Sequence, residues 1–204
     1  MKAIDPRCEE QLRRELAANL DGSFARLVLT FQDRLFAFAY RVSGSRPDAE
    51  EIVQDSFVRA YRALQGYSAE RVQQLALRSW LYQITLNLCR NRLRSRHYRE
   101  IPLDREIDGE AIDPPDDEAD RPDALAEQTE QRGEIAGLVA ALPERYRVAV
   151  LLRFMEELSY ADIAAILDLP VGTAKSNVHR GIEMLRAALS EREMARPVGV
   201  EERQ

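Results

Sequence analysis

Residues 142–189 read LPERYRVAVLLRFMEELSYADIAAILDLPVGTAKSNVHRGIEMLRAAL, and the apolar spacing in them predicts three consecutive helices. Pro143 suits the first turn of a helix, where a missing N–H costs nothing. Tyr146, Val148, Leu151, Leu152 and Met155 follow as the apolar residues of that helix. Ser159 with Asp162 three residues later has the form of a capping box, opening a short helix that turns Ile163, Ala164 and Leu167 inward. Asp168-Leu169-Pro170 ends it after barely two turns, because proline disfavours helix in the residue before it. A third helix then carries Ala174, Val178, Ile182, Leu185 and Leu189 on one apolar stripe.

A short capped helix, a tight turn and a longer helix make a helix-turn-helix. The face opposite the stripe holds Thr173, Lys175, Ser176, Asn177, His179 and Arg180. These are donors that reach phosphates and major-groove base edges, and they occupy the first turns, where such helices meet DNA. A plain helical hairpin with a solvated polar face is the competing account. Solvated faces ordinarily mix acids with bases, whereas no acid occurs between Asp168 and Glu183.

The 204 residues carry a formal charge of −6, which taken alone argues against nucleic acid. The charge is segregated. Residues 101–131 hold twelve acids against Arg105 and Arg121, so this stretch nets −10 and the remainder +4. It also contains Pro102, Pro114, Pro115 and Pro122 and little apolar periodicity, which predicts an extended linker. Cys8 and Cys89 form neither a metal-ligand spacing nor a disulfide framework. No apolar run approaches membrane-spanning length and no signal peptide is visible, so the expected location is the cytoplasm.

Residues 1–22 form a polar extension with a short helix (Leu12, Leu16, Leu20) of undefined docking. Phe24, Leu27, Val28, Phe31, Leu35, Phe38, Ala39 and Val42 predict an amphipathic helix of about five turns, ended by Ser43-Gly44. Ser45-Arg46-Pro47-Asp48 opens the next, which buries Ile52, Val53, Phe57, Ala60, Tyr61 and Leu64 and turns outward Asp48, Glu51, Gln54, Asp55, Arg59 and Arg62. Residues 65–75 read as a loop. A further helix has its core edge at Leu77, Trp80, Leu81, Ile84 and Leu88, then becomes basic through Arg90, Arg92, Arg94, Arg96 and Arg99. Asn87 and Asn91 lie one turn apart on a face shared with Arg94, a surface suited to phosphates and bases. Docking of this basic helix on the acidic linker is the alternative. A helix around Ile135, Leu138, Val139 and Leu142 begins the second domain, and residues 191–204 read as a frayed tail.

No catalytic constellation emerges. His97 and His179 sit within basic surfaces, away from carboxylate or nucleophile partners, and no glycine-rich phosphate loop or strand pattern is present. No metal site, cofactor or small-molecule substrate is expected. The chain reads as a binding protein.

Two segments resemble the sigma-70 family, specifically its small extracytoplasmic-function (ECF) group. FAFAY (36–40) through DAEEIVQDSFVRAY (48–61) is similar to regions 2.1–2.2, and SWLYQI (79–84) with Asn87, Asn91 and Arg94 to regions 2.3–2.4. LPERYR (142–147), LSYADIA (158–164) and PVGTAKS (170–176) resemble region 4. The resemblance implies an all-α chain of two small helical domains, region 2 over residues 23–99 and region 4 over 132–190, joined by the acidic linker. It implies that Asp48, Glu51, Gln54, Asp55 and Arg59 dock on the coiled coil of the largest subunit of core RNA polymerase. Trp80, Asn87, Arg90, Asn91 and Arg94 would engage the −10 element of promoter DNA, and Thr173, Lys175, Ser176, Asn177, His179 and Arg180 the −35 element. Region 4 would meet the polymerase flap region, and an anti-sigma factor, often membrane-bound in the family, is an implied partner. The loop at residues 66–77 departs from the family's short polar connection, and Asn177 stands where arginine is common. The alternatives are a helix-turn-helix regulator with a sensing domain, or a sigma-mimicking partner-switch protein without promoter recognition.

Overall fold

The computed structural model describes residues 5–99 and 133–195, and every regular element among them is α-helical. The acidic stretch at 101–131, the side chains of Arg96, His97 and Arg99 from the predicted basic surface, and the end of the tail lie outside the described residues. Four of the first five helices begin on an oxygen-bearing cap, which satisfies backbone N–H groups that have no partner inside the helix. Helix α1 (Pro6–Ala18) starts on Asp5, whose carboxylate accepts from Arg7 N at 2.9 Å. Asn19 closes α1 and caps α2 (Leu20–Ser43), accepting from Gly22 N at 3.0 Å, so the chain reverses over one residue. Gly44 ends α2 in the left-handed region (φ 71°), where a β-carbon is costly. Ser45 caps α3 (Arg46–Gln65) and Ser68 caps α4 (Ala69–Gln74). Helix α5 (Leu77–Arg99) follows without a cap of its own.

These five helices share one core, in which Leu27, Phe31, Leu35, Leu77, Leu81, Tyr82 and Leu86 are fully buried. Two of its polar residues pair with each other. Thr85 Oγ1 donates to Ser56 Oγ at 3.0 Å, and Ser56 Oγ to Ile52 O at 2.7 Å, joining α3 to α5 without leaving a hydroxyl stranded. At the surface Arg92 bridges the same helices, donating to Asp48 at 2.7 Å and to Glu51.

Three expectations change. The short N-terminal helix is docked, with Leu12 and Leu16 buried in the common core. The stretch read as a loop contains α4, anchored by buried Val72; six residues are too few for a periodicity to stand out. The long second helix starts at Leu20, earlier than Phe24, because Asn19 supplies the cap.

The second unit comprises α6 (133–141), α7 (Glu144–Phe154), α8 (Tyr160–Leu167) and α9 (Val171–Ala195). Ser159 caps α8, accepting from Asp162 N at 3.1 Å, and Asp168 ends it at φ 54°. Pro170 then delivers the chain into α9. The apolar stripe of α9 is buried at Ala174 and Val178, but Ile182 and Leu185 are only half-buried and Leu189 is exposed. The predicted stripe therefore leaves the core after Gly181.

The two units touch. Glu156, in the turn after α7, is 1% exposed and enters the first unit, where Arg34 Nη1 donates to its Oε2 at 3.0 Å. Arg78 Nη2 stands 3.9 Å from the same oxygen. The Tyr82 hydroxyl lies close by, and burial first, then the Glu156 charge, push its pKa well above the ordinary phenol value. Around this buried cluster Ser79 Oγ donates to Asp162 Oδ1 at 3.1 Å, Gln83 Nε2 to Ala165 O at 3.4 Å, and Arg90 pairs with Glu144 at 3.2 Å.

Candidate nucleic-acid and polymerase interfaces

The predicted reading face of α9 is outside. Thr173, Lys175, Ser176, His179 and Arg180 are exposed and Asn177 is half-buried, while Ala174 and Val178 between them anchor the helix. Ser176 donates back to Gly172 O at 2.9 Å. Arg180 lies beside the Tyr146 hydroxyl, and their interaction raises the guanidinium pKa and lowers that of the phenol. The Arg145 guanidinium sits 4.5 Å from the same ring. The second unit thus gathers Arg145 and Arg180 around one tyrosine, beside a helix whose first three turns contain no acid.

Gly181 is the residue that the sequence reading missed. A β-carbon there would fall 2.5 Å from Val150 Cγ2 and 3.4 Å from Tyr146 O. Its absence lets α9 lie directly against α7 and sets the attitude of the reading face. The available signal was a glycine in mid-helix, where helix propensity alone disfavours it by about 1 kcal/mol.

On α5, Trp80, Asn87, Asn91 and Arg94 follow helical spacing along one side. Asn87, Asn91 and Arg94 are exposed, and Arg94 donates to Asn91 Oδ1 at 3.2 Å. Trp80 is half-buried, 6.1 Å from the Tyr67 ring, which carries the Arg71 guanidinium at 3.7 Å on its face. Arg90 is less free than the others, because it pairs with Glu144 of the second unit.

The five residues assigned to polymerase divide. Asp48 and Glu51 hold Arg92. Gln54, Asp55 and Arg59 are exposed. Gln54 stands at the rim of an open groove of about 730 Å³ between α2 and α3, walled by Phe24, Val28, Phe36, Val53 and Phe57. Among the described residues no cluster of His, Cys, Asp and Glu could hold a metal, and no helix is long and apolar enough to cross a membrane. Burial pushes the Cys89 thiol up to about 12, which makes it a poor nucleophile.

Two helical units, the second built as a helix-turn-helix with an exposed face free of acids, define a DNA-binding protein of bipartite design. Comparison with known proteins agrees. The description "Sigma-70 region 2" matches residues 27–98 and "Sigma-70, region 4" matches residues 132–185. The chain is 32% identical over 171 residues to the ECF RNA polymerase sigma factor SigW of Bacillus subtilis, covering 82% of this chain and 89% of that one. It is 33% identical over 168 residues to the ECF RNA polymerase sigma-E factor of Haemophilus influenzae, covering 80% and 85%. The fold is similar to that of CnrH in its complex with the cytosolic domain of CnrY (TM-score 0.62, 21% identity, 90% and 97% covered). It is equally similar to the sigma factor RpoE bound to the anti-sigma factor NepR from Bartonella quintana (TM-score 0.62, 23% identity, 82% and 96% covered). The chain belongs to the sigma-70 family, in its extracytoplasmic-function group. It is a sigma factor, a subunit that directs core RNA polymerase to promoters.

Proposed function

We propose that the chain recognises a bipartite promoter with two separate surfaces. The acid-free face of α9 reads the −35 element in the major groove through Thr173, Lys175, Ser176, Asn177, His179 and Arg180. The Asn87–Asn91–Arg94 side of α5, with Arg90 and Trp80, binds the −10 element as it opens. Unstacking a base there costs a few kcal/mol, which phosphate and stacking contacts must offset. Gln54, Asp55 and Arg59, beside the α2–α3 groove, meet the coiled coil of the polymerase's largest subunit, and Asp48 and Glu51 brace that helix through Arg92. Region 4 engages the flap region. The protein acts in the cytoplasm by binding alone, with no chemistry or cofactor of its own. An anti-sigma factor holds it inactive, by analogy with the complexes in which its structural neighbours CnrH and RpoE were solved.

The observation that carries this reading is the acid-free exposed surface over the first three turns of α9, on a helix anchored by Ala174 and Val178. Elements named −10 and −35 lie about 25 base pairs apart, or about 85 Å at the rise of B-DNA. A closed body with the two units in contact cannot span that length, so the Glu156 contacts break when the holoenzyme engages a promoter.

The test is initiation by core polymerase with and without the chain, on a promoter selected by the wild-type holoenzyme. Lys175→Ala and Arg180→Ala are each expected to weaken −35-dependent initiation by about 1–3 kcal/mol, the value of a good base contact, with core binding intact. Loss of core binding by either would show that their role is misplaced. Asn87→Ala is expected to slow opening at the −10 element without changing core affinity, as read by the fluorescence of a base analogue in the non-template strand.

A further inference from the structure

The α4–α5 junction has a structural deficit that its own residues do not remedy. Helix α4 ends with carbonyls of Gln73 and Leu75 that need donors. Helix α5 begins after Ala76, whose side chain has no oxygen to cap the first N–H groups. Both needs are met by one turn of α1, at sequence separations of 60 to 69 residues. Arg13 Nη1 donates to Gln73 O at 3.1 Å and to Leu75 O at 3.3 Å. Glu9, four residues earlier on the same face, accepts from Arg78 N at 3.3 Å and places its carboxylate at the positive end of α5. Buried Leu12 and Leu16 fix α1 beneath them.

The junction also sits where the proposed −10 surface begins. Helix α4 carries Arg71 onto the Tyr67 ring, Tyr67 stands beside Trp80, and Trp80 starts the side of α5 that continues through Asn87, Asn91 and Arg94. We propose that α1 is a positioning element for promoter opening: Arg13 and Glu9 hold the α4–α5 junction, and with it the Tyr67–Trp80 edge, in the position from which the −10 base pair is unstacked. Neither residue touches DNA. The inference rests on the assignment of α5 to the −10 element made above.

The test uses holoenzyme assembled from the full chain and follows open-complex formation by the rate at which the first transcript appears from each template. Two templates are compared, a duplex promoter and the same promoter pre-opened by mismatches at −10. Arg13→Ala is expected to slow opening of the duplex about tenfold, the effect of losing charge-assisted hydrogen bonds, with unchanged core affinity. The deficit should vanish on the pre-opened template, which a generally unfolded domain would not allow, and Arg13→Lys should recover part of the rate. Glu9→Gln is expected to act in the same direction but less. Wild-type opening by Arg13→Ala, or a deficit that persists on the pre-opened template, would overturn the proposal. Asn87→Ala runs in parallel: if it too opens at the wild-type rate, the −10 assignment itself falls. If Asn87→Ala is slow and Arg13→Ala is not, only the role of α1 falls.

Discussion

Glu156→Ala is expected to part the two helical units while leaving each folded. The carboxylate is almost wholly buried and supplies the negative charge facing Arg34 and Arg78 within the interface. Removing one member of a buried ion pair leaves its partners uncompensated and costs about 3–5 kcal/mol. The protein can avoid that cost without unfolding, because separating the units returns both guanidinium groups to water. What remains to resist separation is the apolar contact by which the buried cluster runs on from the first unit into α7 and α8, together with Ser79 to Asp162, Gln83 to Ala165, and the partly exposed Arg90–Glu144 pair. An ion pair of that exposure contributes about 0–1 kcal/mol. Small-angle scattering should therefore show a larger radius, and amide exchange should rise where α5 and α8 meet, with helix content unchanged. Loss of helix content would mean that Glu156 supports the region 4 fold itself. An unaltered radius would mean that the apolar contacts alone hold the units together. Glu156→Gln keeps the shape and one acceptor, so its effect should be smaller and in the same direction.

Gly181→Val is expected to destabilise region 4 by about 3 kcal/mol, the upper end of the usual cost of overpacking. Already the first added carbon would stand 2.5 Å from Val150 Cγ2, and the Tyr146 carbonyl behind it cannot yield as a flexible side chain would. Helix α9 must then move away from α7, carrying Lys175, Asn177 and Arg180 with it and breaking the contact of Arg180 with Tyr146. Initiation at a −35-dependent promoter should fall with stability. Gly181→Ala separates the two effects, because alanine raises helix propensity by about 1 kcal/mol while meeting the same valine. Combining it with Val150→Ala opens the space, and thermal unfolding should show the double variant more stable than the sum of the single ones. Additive losses would show that the approach of α9 to α7 is not what Gly181 secures.

Both predictions concern residues whose role is tertiary, and this division runs through the molecule. The helix-turn-helix could be recognised from Ser159, Asp168, Pro170 and the first half of the α9 stripe, since caps, breaks and periodicity act over a few residues. The basic exposed faces were legible for the same reason. Acids missing from a run of residues are visible before anything folds. Helix α4 was not legible, because six residues carry no period, and its anchor Val72 is identified only by what covers it. Glu156 resembled any surface glutamate, Arg34 any exposed arginine, and Glu9 and Arg13 members of a polar extension.

Local order along the chain thus determined that its described residues are all-helical, that its charge is segregated and that it carries a helix-turn-helix whose last helix opens on a face free of acids. Those properties depend on hydrogen bonds and side-chain faces set within one or two turns. Only the tertiary structure decided that α1 supports the α4–α5 junction, that α9 approaches α7 through Gly181, and that one buried carboxylate joins the two units. These depend on which distant groups meet once water is excluded, and the energy of a charge or a missing β-carbon is set by that neighbour, not by its own position in the sequence.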